Sequence, residues 1–347
     1  MARICKVTID NETIRAKCGD LLLDAALMNG IELPHDCRSG YCGACQVRVV
    51  AGRCFGAKAG TSNVVHACQT RVISDLQVAV EGTPHVTEIS GIVADIVEIA
   101  ANVFEVCVET PGTLNYLPGQ YLSVRFSGYP ARYYSPTIPL DWPSDPDLIR
   151  FHVHQLPKGR VSSALGRDIK SGHRVKLTGP FGAAYLRREH HGRLILVSSG
   201  TGFAPIWAIA EAAIREDPRR RLVLIAGARD LESLYMIPAL CRLALFPRVV
   251  IIPTVLARQQ VTAAVRIGQP TEYMPALSRD DVIYTAGGPA TVQQAARIAE
   301  TAGATCFADP FLPAAGKGGG PTFLSRIADW LTPSASGPAP SAISVGR

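Results

Sequence analysis

The chain has 347 residues, of which 47% are hydrophobic and 18% charged, and its formal net charge is +6. At about 100–200 residues per domain this length makes two or three domains, and the apolar share excludes a disordered chain. The charge is small and scattered, which excludes a nucleic-acid surface, and no run reaches the ~18 apolar residues that read as a membrane span.

The first segment, Ala2 to Val7, alternates like a strand, so no export leader is expected. With ten cysteines, the chain is then expected in a reducing cytoplasm. Residues 3–9 and 12–17 read as a hairpin around Asp10-Asn11. A short helix from about Leu21 follows, with Asp20 as its expected N-cap and Gly30 just past its end. Next comes His35-Asp36-Cys37-Arg38-Ser39-Gly40-Tyr41-Cys42-Gly43-Ala44-Cys45, with Cys68 further on. Cys37, Cys42, Cys45 and Cys68 have the C-x4-C-x2-C…C spacing that ligates a plant-type [2Fe–2S] cluster. Gly40 and Gly43 allow backbone N–H groups to approach the sulfurs. Structural zinc is the other reading of four cysteines, but zinc sites usually come as two short C-x2-4-C pairs. Cys5, Cys18, Cys54, Cys107, Cys241 and Cys306 read as small buried hydrophobes, with Cys54, just past an Ala51-Gly52 turn, the one rival ligand. Strands near 46–50 and 71–80 complete an arrangement that looks like the β-grasp ferredoxin fold, over residues 1–83.

Residues 81–85 read as a linker. Residues 88–187 are dense in β-branched alternation with Pro-Gly and Ser-Gly turns and one helix signal near 160–167, the pattern of a small antiparallel barrel. Within it lies Arg132-Tyr133-Tyr134-Ser135. If a flavin binds here, the Arg132 guanidinium can pair a pyrophosphate, Tyr134 can cover one ring face, and the Ser135 hydroxyl can reach a ring nitrogen. Gly159-Arg160-Val161-Ser162-Ser163 opens the helix signal, where N–H groups favour phosphate.

This order of parts resembles the ferredoxin–NAD(P)H reductase superfamily, specifically bacterial oxygenase reductases with an N-terminal plant-type ferredoxin domain. Gly179 to Arg187 and Phe307-Ala308-Asp309-Pro310-Phe311 are similar to segments of aromatic-ring dioxygenase reductases. The resemblance covers about residues 1–313. It implies FAD, with Arg132, Tyr134 and Ser135 in the flavin motif. It puts His152, Val153 and His154 on the strand along the flavin, and Gly159, Val161 and Ser162 in the phosphate-binding turn. His154 stands where an Arg is expected.

From Arg193 apolar strands at 194–197, 222–226, 249–252 and 282–284 mostly alternate with helical stretches, which reads as a doubly wound α/β domain over residues 190–313. Gly200-Thr201-Gly202-Phe203-Ala204-Pro205 follows the first strand; its glycines admit a nucleotide pyrophosphate, and Pro205 suits a first helical turn. The family's nicotinamide loop has this G-T-G-x-A-P form. Arg229 and Asp230 end the second strand, where dinucleotides bind. An acid there favours NADH over NADPH, while Arg229 pulls the other way, and NADH is the expected donor. Ala286-Gly287-Gly288-Pro289 takes the place of the family's Cys-Gly-x-Pro segment, with Ala286 for the usual Cys. Phe307 or Phe311 is either a flavin shield or a core residue.

After Pro313 the composition turns to Gly, Pro, Ser and Ala. In this tail, residues 314–347, Phe323, Ile327 and Leu331 recur at helical spacing for a short amphipathic helix that packs on the protein or docks a partner. The family implies a reductase that passes electrons from NADH through FAD to the cluster and on to a terminal oxygenase or its ferredoxin. No catalytic residue beyond the cofactors is required. A Rieske-type aromatic-ring dioxygenase is the expected partner. A diiron monooxygenase is one alternative; a redox-sensing protein that has lost turnover, suggested by Ala286, is another.

Overall fold

The computed structural model describes residues 3–31, 33, 35, 45–56, 63–80, 86–140, 145–257 and 263–311. Cys37, Cys42, the intervening Arg38, Gly40 and Tyr41, Gly43, the 81–85 linker and the tail helix with Phe323, Ile327 and Leu331 lie outside the described residues.

The first sheet has five strands in the order Glu12–Lys17, Ile4–Ile9, Arg71–Val80, Gln46–Phe55, Val64–His66. The 4–9 and 71–80 strands are parallel, and every other pair is antiparallel. Alternation puts Cys5, Val7 and Ile9 on one face, all buried. Leu22, Leu23, Ala25 and Ala26 of the helix Leu22–Met28 are buried in the same core. Gly30, at φ +81, ends that helix as expected. Its N–H donates to the Leu27 carbonyl and that of Ile31 to Ala26, a Schellman closure.

Two local expectations change. Asp20 does not cap the helix: its Oδ2 accepts from Lys17 N at 2.8 Å, and the N-cap is Leu21, with no side-chain bond. Asp20 lies one residue too early and closes the turn behind the second strand. The chain also does not turn back at Ala51-Gly52; one strand runs through it from Gln46 to Phe55, with register shifts on both sides. Gly52 makes this possible. Its φ is +93, and a Cβ there would lie 2.1 Å from the Asp75 carbonyl oxygen. Of the six remaining cysteines, Cys5 and Cys107 are buried as expected, but Cys18 and Cys241 are exposed. Cys18 ends beyond the second strand, and Cys241 lies on the outer side of the helix Ile237–Leu243.

The second sheet has seven strands, all antiparallel, in the order Pro136–Thr137, Leu148–His154, Val103–Glu109, Thr87–Ala100, Arg174–Phe181, Tyr121–Phe126, Arg132–Tyr134. Its two edge strands are consecutive in the chain, joined only by Ser135. The sheet therefore curls until its edges meet at that residue, and Tyr134 packs 6.2 Å from Phe151 of the opposite margin. The helix expected near 160–167 is a single 3-10 turn, Ser162–Ala164. The chain reverses at once, and Gly166 N–H bonds to the Ile169 carbonyl.

The third sheet is wholly parallel, in the order Arg266–Ile267, Val249–Val255, Leu222–Ala228, Leu194–Ser199, Val282–Gly287, Thr305–Pro310. Buried on both faces, its central strands are continuous apolar runs. The Arg266–Ile267 and Thr305–Pro310 strands were not expected, the first being two residues long and the second carrying Asp and Pro. The order reverses between the 194–199 and 282–287 strands, which makes a switch point at their carboxyl ends.

The barrel and this sheet share a core. Ala184 and Leu186 are buried with Trp207 and Tyr284, and Ile138 and Leu140 pack on the same cluster. Trp207 is fully buried, and its Nε1–H donates to the Ile138 carbonyl at 3.0 Å. Trp207→Ala removes both the fill and that bond, and we expect a loss of about 3–5 kcal/mol in denaturant unfolding. A loss below about 1 kcal/mol, the size of one net hydrogen bond, would mean that the joint is not packed as described.

Candidate functional site

At the first pole, Cys45 stands at the entrance of the Gln46–Phe55 strand, and Cys68 lies in the 3-10 turn Ala67–Gln69 after Val64–His66. These strands pair, and Ala67 N–H donates to the Cys45 carbonyl at 2.8 Å, which brings two of the four predicted ligands to one place. Both are buried. Cys54 pairs with Val72 further along the sheet and packs against its core. Soft thiolates held together by neighbouring turns fit an iron–sulfur cluster.

At the barrel seam, Ser135 is buried, and Arg132 and Tyr134 are half-buried beside it. Arg132 Nη1 donates to the Ala131 carbonyl at 2.8 Å, which folds the guanidinium back along the strand. Desolvation pushes the Tyr134 phenol up to about 12. Tyr133 points outward and meets Tyr121 edge-on, with centroids 5.4 Å apart. His152 and Val153 are buried on the strand across the seam, and His154 is exposed at its end.

The predicted phosphate turn lies just beyond. Leu156 N–H donates to Ser162 Oγ at 3.1 Å, Ser163 N–H to the Gly159 carbonyl, and Gln155 Nε2 to the Ser162 carbonyl. A Cβ on Gly159 would lie 2.2 Å from Ser162 Oγ, so a larger residue would displace the hydroxyl that holds Leu156 N–H, and Val161 is buried under this turn. Among the described residues no acceptor takes the N–H groups of Arg160 and Val161. Adjacent unclaimed amides in a tight turn suit a diphosphate.

The predicted nucleotide loops meet at the switch point of the parallel sheet. Gly200, Thr201 and Gly202 form a 3-10 turn that runs into the helix Phe203–Glu216, with Pro205 in its first turn. Opposite them Ala286 and Gly287 end their strand, and Pro289 opens the helix Pro289–Ala302. A Cβ on Gly202 would sit 2.2 Å from the Ala286 carbonyl oxygen, and one on Gly287, at φ +115, 2.2 Å from that of Ser199. The loops interlock because both positions lack side chains. Ser199 Oγ accepts from Gly288 N–H at 2.8 Å and joins them. Arg229 and Asp230 follow the Leu222–Ala228 strand. Asp230 Oδ1 accepts from Ser233 N at 2.8 Å and Ser233 Oγ at 2.6 Å, and Oδ2 from Arg229 Nε at 3.2 Å. The two Ser233 bonds, with Arg229 after them, hold the Asp230 carboxyl below its ordinary range.

Seam and switch point face each other. Ser135 Oγ donates to Asp309 Oδ2 at 3.2 Å, and Asp309 pairs with Ala286 in the sheet. Thr137 Oγ1 donates to the Ala204 carbonyl at 3.1 Å. His152 reaches Tyr235 OH at 3.2 Å. Desolvation of its ring by the surrounding residues, and secondly the Arg229 guanidinium, push the His154 imidazole below its ordinary value, although the residue keeps an exposed edge. Phe307 is a core residue, stacked on Tyr284 at 5.3 Å. Phe311 is half-exposed, and its N–H donates to the Gly287 carbonyl at 2.8 Å. Residue by residue reading passed over Ser199, Asp309, Thr137 and Tyr235. Ser199 directly precedes the glycine loop, and Asp309 lies within a segment already singled out, so both had a local signal; Thr137 and Tyr235 had none.

Three family models match the chain. They are a 2Fe-2S iron-sulfur cluster binding domain over residues 7–72, an oxidoreductase FAD-binding domain over 91–185 and an oxidoreductase NAD-binding domain over 196–297. The chain is 29% identical over 326 residues, 88% of it and 97% of the relative, to the naphthalene 1,2-dioxygenase system ferredoxin–NAD(P)(+) reductase component of Pseudomonas putida. It is 30% identical over 237 residues, 65% of it and 71% of the relative, to the reductase component of the naphthalene 1,2-dioxygenase/salicylate 5-hydroxylase systems of Ralstonia sp. In fold it is similar to the ferredoxin reductase in carbazole 1,9a-dioxygenase, with a TM-score of 0.61 and 24% identity over 90% of this chain and 99% of that one. The alternatives of a diiron partner and of a protein without turnover are not favoured. The chain belongs to the ferredoxin–NAD(P)H reductase superfamily, as an NAD(P)H-dependent oxidoreductase whose [2Fe–2S] ferredoxin domain precedes its FAD-binding and NAD-binding domains.

Proposed function

We propose that this chain takes electrons from NADH and delivers them, through FAD and the [2Fe–2S] cluster, to a Rieske-type aromatic-ring dioxygenase or its ferredoxin in the cytoplasm. The supporting observation is the meeting of barrel seam and switch point, where Ser135 bonds Asp309 across 174 residues of chain. The names of the relatives, reductase components of dioxygenase systems, support the partner. No helix of the described residues is long and apolar enough to cross a membrane. The working modules are a ferredoxin part at residues 1–83, a flavin part at 88–187, a nicotinamide part at 190–313 and a tail at 314–347.

A flavin held at the seam would supply the change from the two electrons of a nicotinamide to the single electrons of a cluster. The chain's own residues bind and orient. Arg132 and the amides beside Gly159, Val161 and Ser162 would hold the diphosphate, Tyr134 would cover a ring face, and Ser135 would present its hydroxyl to the ring edge. His152, Val153 and His154 line the strand alongside. Gly200, Thr201, Gly202 and Pro205 admit the nucleotide pyrophosphate, and Ala286, Gly287 and Pro289 bound the nicotinamide end. Phe311, at the rim, is placed to shield the other flavin face. Cys37, Cys42, Cys45 and Cys68 hold the outgoing cluster. Anaerobic stopped-flow mixing with NADH and NADPH, read at flavin and cluster wavelengths, tests the proposal. Absence of bleaching at both would sink it.

Asp230, just past the carboxyl end of its strand, would accept from an adenine-ribose 2′-OH and so favour NADH, while Arg229, 77% exposed at its side chain, would offer a cation to a 2′-phosphate. Arg229→Ala is expected to lower kcat/KM for NADPH about ten-fold, the size of one charge-assisted hydrogen bond, and to leave that for NADH within about two-fold. Steady-state kinetics with both nucleotides decides; an equal loss for both would remove Arg229 from the selectivity.

A further inference from the structure

His152 lies on the Leu148–His154 strand opposite Glu105 of the Val103–Glu109 strand. Glu105 Oε1 accepts from Arg150 Nη1 at 2.7 Å, and its Oε2 lies 3.3 Å from His152 Nε2. The His152 hydrogen bond, then the His152 and Arg150 charges, hold the Glu105 carboxyl below its ordinary range. An ionised carboxylate only accepts, so Nε2 carries the proton. The other ring nitrogen, Nδ1, lies within hydrogen-bond distance of the Tyr235 hydroxyl, 3.2 Å away. The two rings meet edge to face, with centroids 5.4 Å apart and planes at 82°.

Tyr235 belongs to the other domain and stands between its nucleotide loops. It follows the turn that Asp230 and Ser233 close, and its ring meets Phe203 edge-on at 6.5 Å. Phe203 is the first residue of the helix after Gly200–Gly202. One hydroxyl thus ties the loops on the nucleotide side to a buried imidazole on the barrel strand. Hydrophobic contact alone would hold the domains together without fixing an angle, because it is not directional; a hydrogen bond between two side chains is.

We propose that Tyr235 and Glu105 are positioning residues for hydride delivery, acting through His152 to hold the nucleotide loops in register with the barrel strand. The proposal rests on the reductase reading above. It assigns these residues to geometry in the bound complex and not to nucleotide affinity.

The test compares wild type, Tyr235→Phe and Glu105→Gln, each loaded with FAD and cluster. Nucleotide Kd comes from titration, and the limiting rate of flavin reduction from anaerobic single turnover. Tyr235→Phe keeps the ring and its packing. Its limiting rate is expected to fall about five-fold, the loss equivalent to one net hydrogen bond, with Kd for NADH within about two-fold. Glu105→Gln is expected to fall in the same direction. Hydrogen exchange, measured also on FAD-free protein, should rise over residues 231–236 in Tyr235→Phe while the 222–228 strand stays protected. An unchanged limiting rate in Tyr235→Phe, or a change confined to Kd, overturns the positioning role. Failure of NADH to reduce the wild-type flavin would instead overturn the reductase reading.

Discussion

Cys68→Ser is expected to leave NADH reducing the flavin while abolishing the EPR signal of the reduced cluster and onward transfer to one-electron acceptors. Cys68 and Cys45 are buried at the joint of two paired strands, and the Ala67–Cys45 backbone bond fixes their separation. A serine fits the space, so the ferredoxin sheet keeps its core of Cys5, Val7, Leu22 and Val72. The alkoxide that would have to replace the thiolate is a hard donor, poorly matched to iron–sulfur chemistry. The flavin and nicotinamide residues all lie in other sheets, so reduction of the flavin should proceed near the wild-type rate. Visible absorbance, iron content and EPR after anaerobic reduction check the outcome. Cys54→Ser is the control and should retain all three. A Cys68→Ser protein with a full cluster signal, or a Cys54→Ser protein without one, would reassign the ligands.

Gly202→Ala is expected to weaken NADH binding by about 10–100-fold while FAD stays bound. The added Cβ would stand 2.2 Å from the Ala286 carbonyl oxygen and 2.6 Å from the Gly287 Cα. Both obstacles are backbone in a parallel sheet, so neither can swing aside, and the two loops must part. Overpacking of this kind costs about 1–3 kcal/mol, and each 1.4 kcal/mol is about ten-fold in binding. Gly288→Ala is the matched control. Its Cβ meets only Ser199 Oγ at 3.2 Å, which a small rotation relieves, so its affinity should change by less than about five-fold, the ~1 kcal/mol lower edge of the overpacking range. Titration of the nucleotide against the flavin spectrum measures both. A Gly202→Ala protein that binds NADH as the wild type does would mean that the switch point does not receive it.

Much of the site was legible because it is local. The cysteine spacing carries its own geometry, and the Gly200–Gly202 and Gly287–Pro289 loops announce themselves by residues needed for close backbone approach. Strands such as 194–199 and 222–228 are visible because burial on both faces makes them continuous apolar runs. Local reading failed where a neighbour outside the window set the conformation. Asp20 has a good capping side chain, but the Lys17 amide claims it. The helix signal at 160–167 yields one 3-10 turn because Ser162, Gly159 and Leu156 bond among themselves. Gly52 reads as a turn in isolation and is a bulge because the 71–80 strand lies against it.

By itself the sequence determined the chemistry and the order of the parts: four thiolates for a cluster, a flavin motif, then a nucleotide loop. Which residues face each other across those parts was decided only by tertiary structure. The barrel edges meet at Ser135 because the sheet curls through its whole width, and Asp309 reaches that point because it lies near the end of Thr305–Pro310, the edge strand of another sheet. Tyr235 meets His152 for the same reason. Such contacts follow from the packing of sheets, summed over many buried side chains, and no local spacing encodes them.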